Sequence, residues 1–159
     1  RGDLSTPLGR KLIEQFIAAY MAADLRGAPR IVSAPGHSFC DVAAKCLHVV
    51  NLASVRELER VAGRRIDPLR FRANVYIDGF AAFAERQWID KTVHLDGVEA
   101  KIADRTIRCE ATNVDPGTAQ RDMAIPAILQ RTWGHTDFGV YAAITSPGTI
   151  AVGGPVRID

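Results

Sequence analysis

The sequence predicts a mainly β fold with peripheral helices, of the α+β class, in the form of a closed or nearly closed β-barrel. Three observations carry this. Short apolar segments recur between turn signals at Asp67-Pro68, Asp78-Gly79, Asp96-Gly97, Asp115-Pro116-Gly117 and Pro147-Gly148. Only three segments, each of modest length, have helical start signals and helical periodicity. Strands and helices do not alternate as regular βαβ units. No G-x-G-x-x-G or P-loop stands between a strand and a helix, which argues against a nucleotide-binding α/β domain.

In chain order, Thr6-Pro7 opens a helix with a hydroxyl cap and a proline at the first helical position. Leu8, Leu12, Ile13, Phe16, Ile17 and Tyr20 fall on one stripe, expected to brace a sheet, and Gly27 ends the segment. Arg30 to Ser33 reads as a short strand and Cys46 to Leu52 as a second. Ser54 and Glu57 have the spacing of a capping box, opening a helix that ends at Gly63.

Leu69 to Asp78 shows the clearest alternation: Leu69, Phe71, Ala73, Val75 and Ile77 on one face, with Arg70, Arg72, Asn74, Tyr76 and Asp78 on the other. On a strand, Arg72 and Asn74 project side by side. A guanidinium fork beside an amide suits an oxyanion such as phosphate; an ordinary solvated strand face is the alternative. Thr92 to Leu95 and Val98 to Ala103 pair across Asp96-Gly97 as a hairpin. Ile125-Pro126 starts a helix closed by Gly134, Phe138 to Ile144 is a strand, and Thr149 to Val152 is the last strand.

Composition narrows the function classes. With 159 residues, 47% of them hydrophobic, the chain can bury one sizeable core. A net charge of +2 without a basic block lacks the footprint of nucleic-acid binding. No apolar run approaches the roughly 18 residues that span a bilayer, so no membrane partner is expected. Three cysteines form no disulfide framework, which points to a reducing, cytoplasmic setting. His37, Cys40, Cys46 and His48 could be drawn as a zinc site, but the spacing is wrong and incidental thiols are the better reading. No lysine has a Schiff-base context, which argues against pyridoxal phosphate.

From Arg105 to Asp122, Ile107, Cys109 and Ala111 alternate with Arg108, Glu110 and Thr112 as on a half-buried strand. Asp115-Pro116-Gly117 then stops it as a type II turn, with Gly117 at positive φ. Cys109 is therefore expected at a rim. Arg108 and Arg121 nearby favour thiolate, the form that ligates metals.

The run Arg108, Cys109, Thr112, Val114, Asp115 and Pro116 (R-C-x-x-T-x-V-D-P) resembles the signature of MOSC domains, and Arg72 to Asn74 is similar to a second family motif with Ala73 in place of proline. The resemblance runs from about Thr6 to Val156 and implies a MOSC-type β-barrel over residues 29–159. Residues 1–28 would be an N-terminal helix, the tail of a missing N-terminal region. It implies a molybdenum–molybdopterin cofactor with Cys109 as metal ligand and catalytic centre, and Arg72, Asn74, Ser54 and Arg108 as cofactor-binding residues. The implied activity is reduction of N-hydroxylated small molecules, with electrons from a separate iron–sulfur or flavin protein. The alternatives are a non-catalytic cofactor-docking module and a persulfide carrier acting with a cofactor sulfurase. Asp115 could lie on the substrate side, or serve only as the first residue of its turn.

Overall fold

Thr6 starts α1 (Pro7–Tyr20): its hydroxyl accepts the Gly9 amide at 3.0 Å, with Pro7 at the first helical position. The helix stops at Tyr20, well before Gly27. Leu8, Leu12, Phe16 and Tyr20 of its apolar stripe are exposed, and the Phe16 and Tyr20 rings stack on each other. Residues 30–33 form no strand. This computed structural model describes residues 1–36 and 45–159, which fall into two units, Arg1–Phe39 and Cys40–Asp159.

The second unit contains β1 (Cys46–Asn51), α2 (Leu52–Ala62), β2 (Val75–Ile77), β3 (Thr92–Leu95), β4 (Val98–Ile107), α3 (Ile125–Trp133), β5 (Asp137–Ser146) and β6 (Val156–Ile158). The strands form one curled sheet, a half-barrel, in the order β2-β1-β5-β4-β3-β6. Among the described residues only β1 and β2 run parallel; the other pairs are antiparallel. The mainly β class with peripheral helices is therefore the observed one, with β2 and β6 as edges.

At β1 and the start of β5 both faces of the sheet are buried, which explains why β1 reads as an apolar run and not as an alternation, whereas β4 alternates buried and exposed residues. Val49 joins Val93, Leu95, Ala100, Ile102, Val140 and Ala142 on one side. Its neighbour Val50 turns to the other, where Val55, Leu58, Phe71, Ile125, Leu129 and Phe138 pack beneath α2 and α3. Gly63 and Gly134 end these helices in the left-handed conformation that glycine adopts without a Cβ penalty.

Several local expectations are corrected. Asn51, not Ser54, caps α2, its side chain accepting the Ala53 amide at 3.0 Å. Leu69 to Asp78 is not one strand: Pro68–Phe71 is a 3-10 turn capped by Asp67, and only Val75–Ile77 pairs with β1. The strand before Cys109 ends at Ile107, and Glu110–Asn113 is another 3-10 turn. In the following loop the positive φ belongs to Ala119, not Gly117. The last strand is Val156–Ile158, beyond the expected Thr149 to Val152.

Candidate functional site

The site is built where the ends of β1, β2, β4 and β5 meet. Arg72 follows the Pro68–Phe71 turn in a left-handed conformation (φ 51°, ψ 39°), its amide bonded to the Leu69 carbonyl. That kink breaks the strand face on which Arg72 and Asn74 would have stood in line. The Arg72 side chain is exposed. The Asn74 amide N–H donates to the His48 carbonyl at 2.9 Å, and its Oδ1 accepts the His48 amide at 2.8 Å. Asn74 thus continues the β1–β2 ladder through its side chain.

Arg108 directly follows the end of β4, and its side chain reaches His48 of β1. Its own amide N–H donates to the Thr136 carbonyl at 2.9 Å. Nη2 donates to the Phe71 carbonyl at 2.9 Å, and Nη1 is 3.5 Å from Nε2 of His48. The guanidinium carbon sits 5.6 Å from the centre of the Phe71 ring, which in turn stacks on Phe138 at 4.0 Å. A cation held over a buried aromatic pair, with one acceptor on each arm, is strongly oriented.

His48 was legible only as a member of the zinc drawing, of which His37 and Cys40 lie outside the described residues. Among the described residues no cluster of three or more His, Cys, Asp or Glu is placed to hold a metal. The imidazole is 7% exposed. Burial first, and then the charge of Arg108, push its pKa down to about 4, while the carbonyls of Phe138, Arg72 and Phe71 act in the opposite sense. At neutral pH the ring is uncharged and can accept from Arg108.

Cys109 follows Arg108 with extended backbone (φ −107°, ψ 177°) and is exposed. Its carbonyl accepts the Thr112 amide at 3.2 Å and the Thr112 hydroxyl at 2.9 Å, which anchors the next turn. The structure therefore brings the Arg72 carbonyl, the Asn74 side chain and the Arg108 guanidinium to His48, with the thiol next to Arg108 along the chain. The side-chain groups present here are thus an exposed thiol, a fixed guanidinium and an amide.

Ser54 is not in this group. It is fully buried, its hydroxyl donating to Glu85 Oε1 at 2.7 Å and accepting the Phe83 amide at 2.8 Å. Burial and these two bonds keep the Ser54 hydroxyl out of reach of a ligand. Glu85 also accepts from Asn51 Nδ2 at 3.2 Å, and burial raises its pKa. Nothing in the local sequence around Glu85 signals this network, because its partners lie more than thirty residues away.

Asp115 belongs to its turn. Its Oδ1 accepts the Gly117 and Thr118 amides, each at 2.9 Å, and its Oδ2 accepts from Arg70 at 3.0 Å. Arg70 is buried and also pairs with Asp122, so it pins both ends of the loop that follows Cys109. Asp122 is held in turn by Arg64 at 2.7 Å.

A groove of about 1030 Å³ runs between β2 and residues 150–156, floored by Leu47, Leu52, Phe80 and Leu95. Of the sequence-predicted residues only Asn74 lines it. No helix among the described residues is long and apolar enough to cross a membrane.

The family model for the MOSC domain matches residues 33–157. Mitochondrial amidoxime-reducing component 1 of Mus musculus is 33% identical over 122 residues, covering 69% of this chain and 35% of that protein. Molybdenum cofactor sulfurase of Caenorhabditis elegans is 29% identical over 102 residues, covering 62% of this chain and 14% of its own length. The crystal structure of YiiM from Geobacillus stearothermophilus has the same fold, with a TM-score of 0.54 at 14% identity over 71% of this chain and 53% of that one. The chain spans little more than a third of the length of the amidoxime-reducing relatives it matches. By its family match over most of its residues, this chain belongs to the MOSC domain family.

Proposed function

We propose that this chain binds a molybdenum–molybdopterin cofactor and, as part of a longer protein, takes part in reducing N-hydroxylated small molecules. One observation carries the reading: a guanidinium fixed by the Phe71 carbonyl and His48 stands immediately before an exposed thiol. Cys109 would ligate the metal as thiolate. Arg108, Arg72 and Asn74 would grip the phosphate and pterin edge by charge-assisted hydrogen bonds, Asn74 through its amide N–H₂ because its oxygen is taken by His48. Ser54 is left out of the set, since its hydroxyl is already satisfied.

When bound, the cofactor supplies two-electron oxygen-atom chemistry. The overall conversion takes an N–OH group, two electrons and two protons to N–H and water, with the electrons arriving from a separate iron–sulfur or flavin protein. The chain's own residues hold the cofactor, orient it and limit access of water. The name molybdenum cofactor sulfurase supports molybdenum-cofactor chemistry, and the name amidoxime-reducing component supports an N-hydroxylated substrate.

The exposure of Cys109 also favours a second reading, in which the thiol carries persulfide sulfur for a cofactor sulfurase. Protein made in a cofactor-producing host separates the two. The first reading expects molybdenum and pterin in proportion to protein, lost in Cys109→Ser, and benzamidoxime reduction with an artificial electron donor. Persulfide on Cys109 without metal would support the carrier. Absence of both metal and persulfide would overturn the proposal.

A further inference from the structure

Gly139 lies inside β5 with φ +82°, a conformation that side chains other than glycine's rarely adopt. A Cβ at this position would stand 2.7 Å from Nε2 of His48, 2.7 Å from the Val49 carbonyl oxygen and 2.8 Å from Val50 Cγ2. The missing Cβ is therefore the space that the imidazole occupies. From there Nε2 meets Nη1 of Arg108, whose other arm is held by the Phe71 carbonyl. The Asn74 side chain fixes the His48 backbone from the opposite side.

We infer that His48 is a positioning residue that fixes Arg108 as an anion-binding guanidinium, and that Gly139 is a glycine so that the imidazole can stand there. The inference rests on the reading of Arg108 as a cofactor-phosphate contact. Its physical logic is one of charge. A carboxylate in place of His48 would orient the guanidinium equally well but cancel the charge that an incoming anion needs. A carbonyl and an uncharged imidazole orient it and leave that charge intact. Because Nε2 accepts from Arg108, the ring proton belongs on Nδ1.

The test titrates inorganic phosphate into the full chain, followed by calorimetry and by ¹H–¹⁵N NMR, with a thermal melt for each variant to confirm folding. Arg108→Gln should weaken phosphate binding about tenfold or more, and His48→Leu by several-fold. His48→Gln, which restores an uncharged acceptor, should recover most of the loss. His48→Asp should bind as weakly as Arg108→Gln although Arg108 is present. Gly139→Ala, by displacing the ring, should resemble His48→Leu. Long-range imidazole spectra at neutral pH should show the proton on Nδ1.

A proton on Nε2 would overturn the inference, as would wild-type affinity in both His48→Leu and His48→Asp. In the latter case a loss in Arg108→Gln would still leave the anion site standing. Wild-type affinity in Arg108→Gln would instead remove the cofactor-phosphate reading itself.

Discussion

Asn74 and His48 clasp each other twice: the Asn74 amide N–H donates to the His48 carbonyl at 2.9 Å, and Asn74 Oδ1 accepts the His48 amide at 2.8 Å. A residue expected to face a ligand is thus also the last rung between β1 and β2. Asn74→Ala should cost about 1–2 kcal/mol of stability by leaving the His48 amide without its acceptor, measured by urea unfolding. Asn74→Asp keeps the acceptor and should lose less; equal losses would show that the side-chain rung is energetically irrelevant.

Arg70 should be among the most sensitive positions in the second unit. Its side chain is 2% exposed and carries two carboxylate partners, Asp115 and Asp122. Arg70→Ala removes the buried guanidinium that ties Asp115 to Asp122 and should cost about 1–3 kcal/mol. Limited proteolysis should then cut first within residues 115–122. A variant that melts with the wild type and resists cleavage there would contradict this.

Glu85 and His48 should shape stability against pH in opposite directions. Burial raises the Glu85 pKa above its ordinary 4.5, so the folded state holds that proton more tightly than the unfolded chain does. Its contribution is full below about pH 4.5 and fades as pH rises through the folded value. Glu85→Gln should therefore gain on the wild type as pH rises from 4.5 toward neutrality.

For His48 the folded pKa of about 4 lies below the ordinary 6.5, so its contribution is full above pH 6.5 and is lost as pH falls through 4. That loss amounts to roughly 3 kcal/mol, and His48→Gln should remove it from the acid limb. Unfolding free energies of both variants and the wild type between pH 4 and 8 provide the comparison. Parallel curves for all three would refute both assignments.

Cys109 is exposed and Cys46 half-buried, so an aromatic disulfide reagent should modify Cys109 faster than Cys46. Cys109→Ser should remove that faster reaction and change stability by less than about 0.5 kcal/mol. A large destabilisation would mean that the thiol serves the fold and not a ligand.

What could be read directly was whatever local chemistry marks. Thr6-Pro7, Gly63, Asp96-Gly97 and Gly134 each bound an element where expected, because caps and turns are satisfied within a few residues. The adjacency of Arg108 and Cys109, and the short spacing of Arg72 and Asn74, were equally plain. The alternation of Leu69 to Asp78 misled because Asp67 caps a 3-10 turn and Arg70 sinks inward to carboxylates 45 and 52 residues away.

By itself, then, the sequence determined the class of the fold, several helix and hairpin ends and the residue types of the candidate site. Only the tertiary structure decided that His48 belongs with Arg108, that Ser54 is spent on Glu85, and that Asp115 serves a buried arginine. Those outcomes depend on groups brought together from distant parts of the chain, where burial makes an unpaired charge or hydrogen-bonding atom costly. No local pattern encodes which partner that will be.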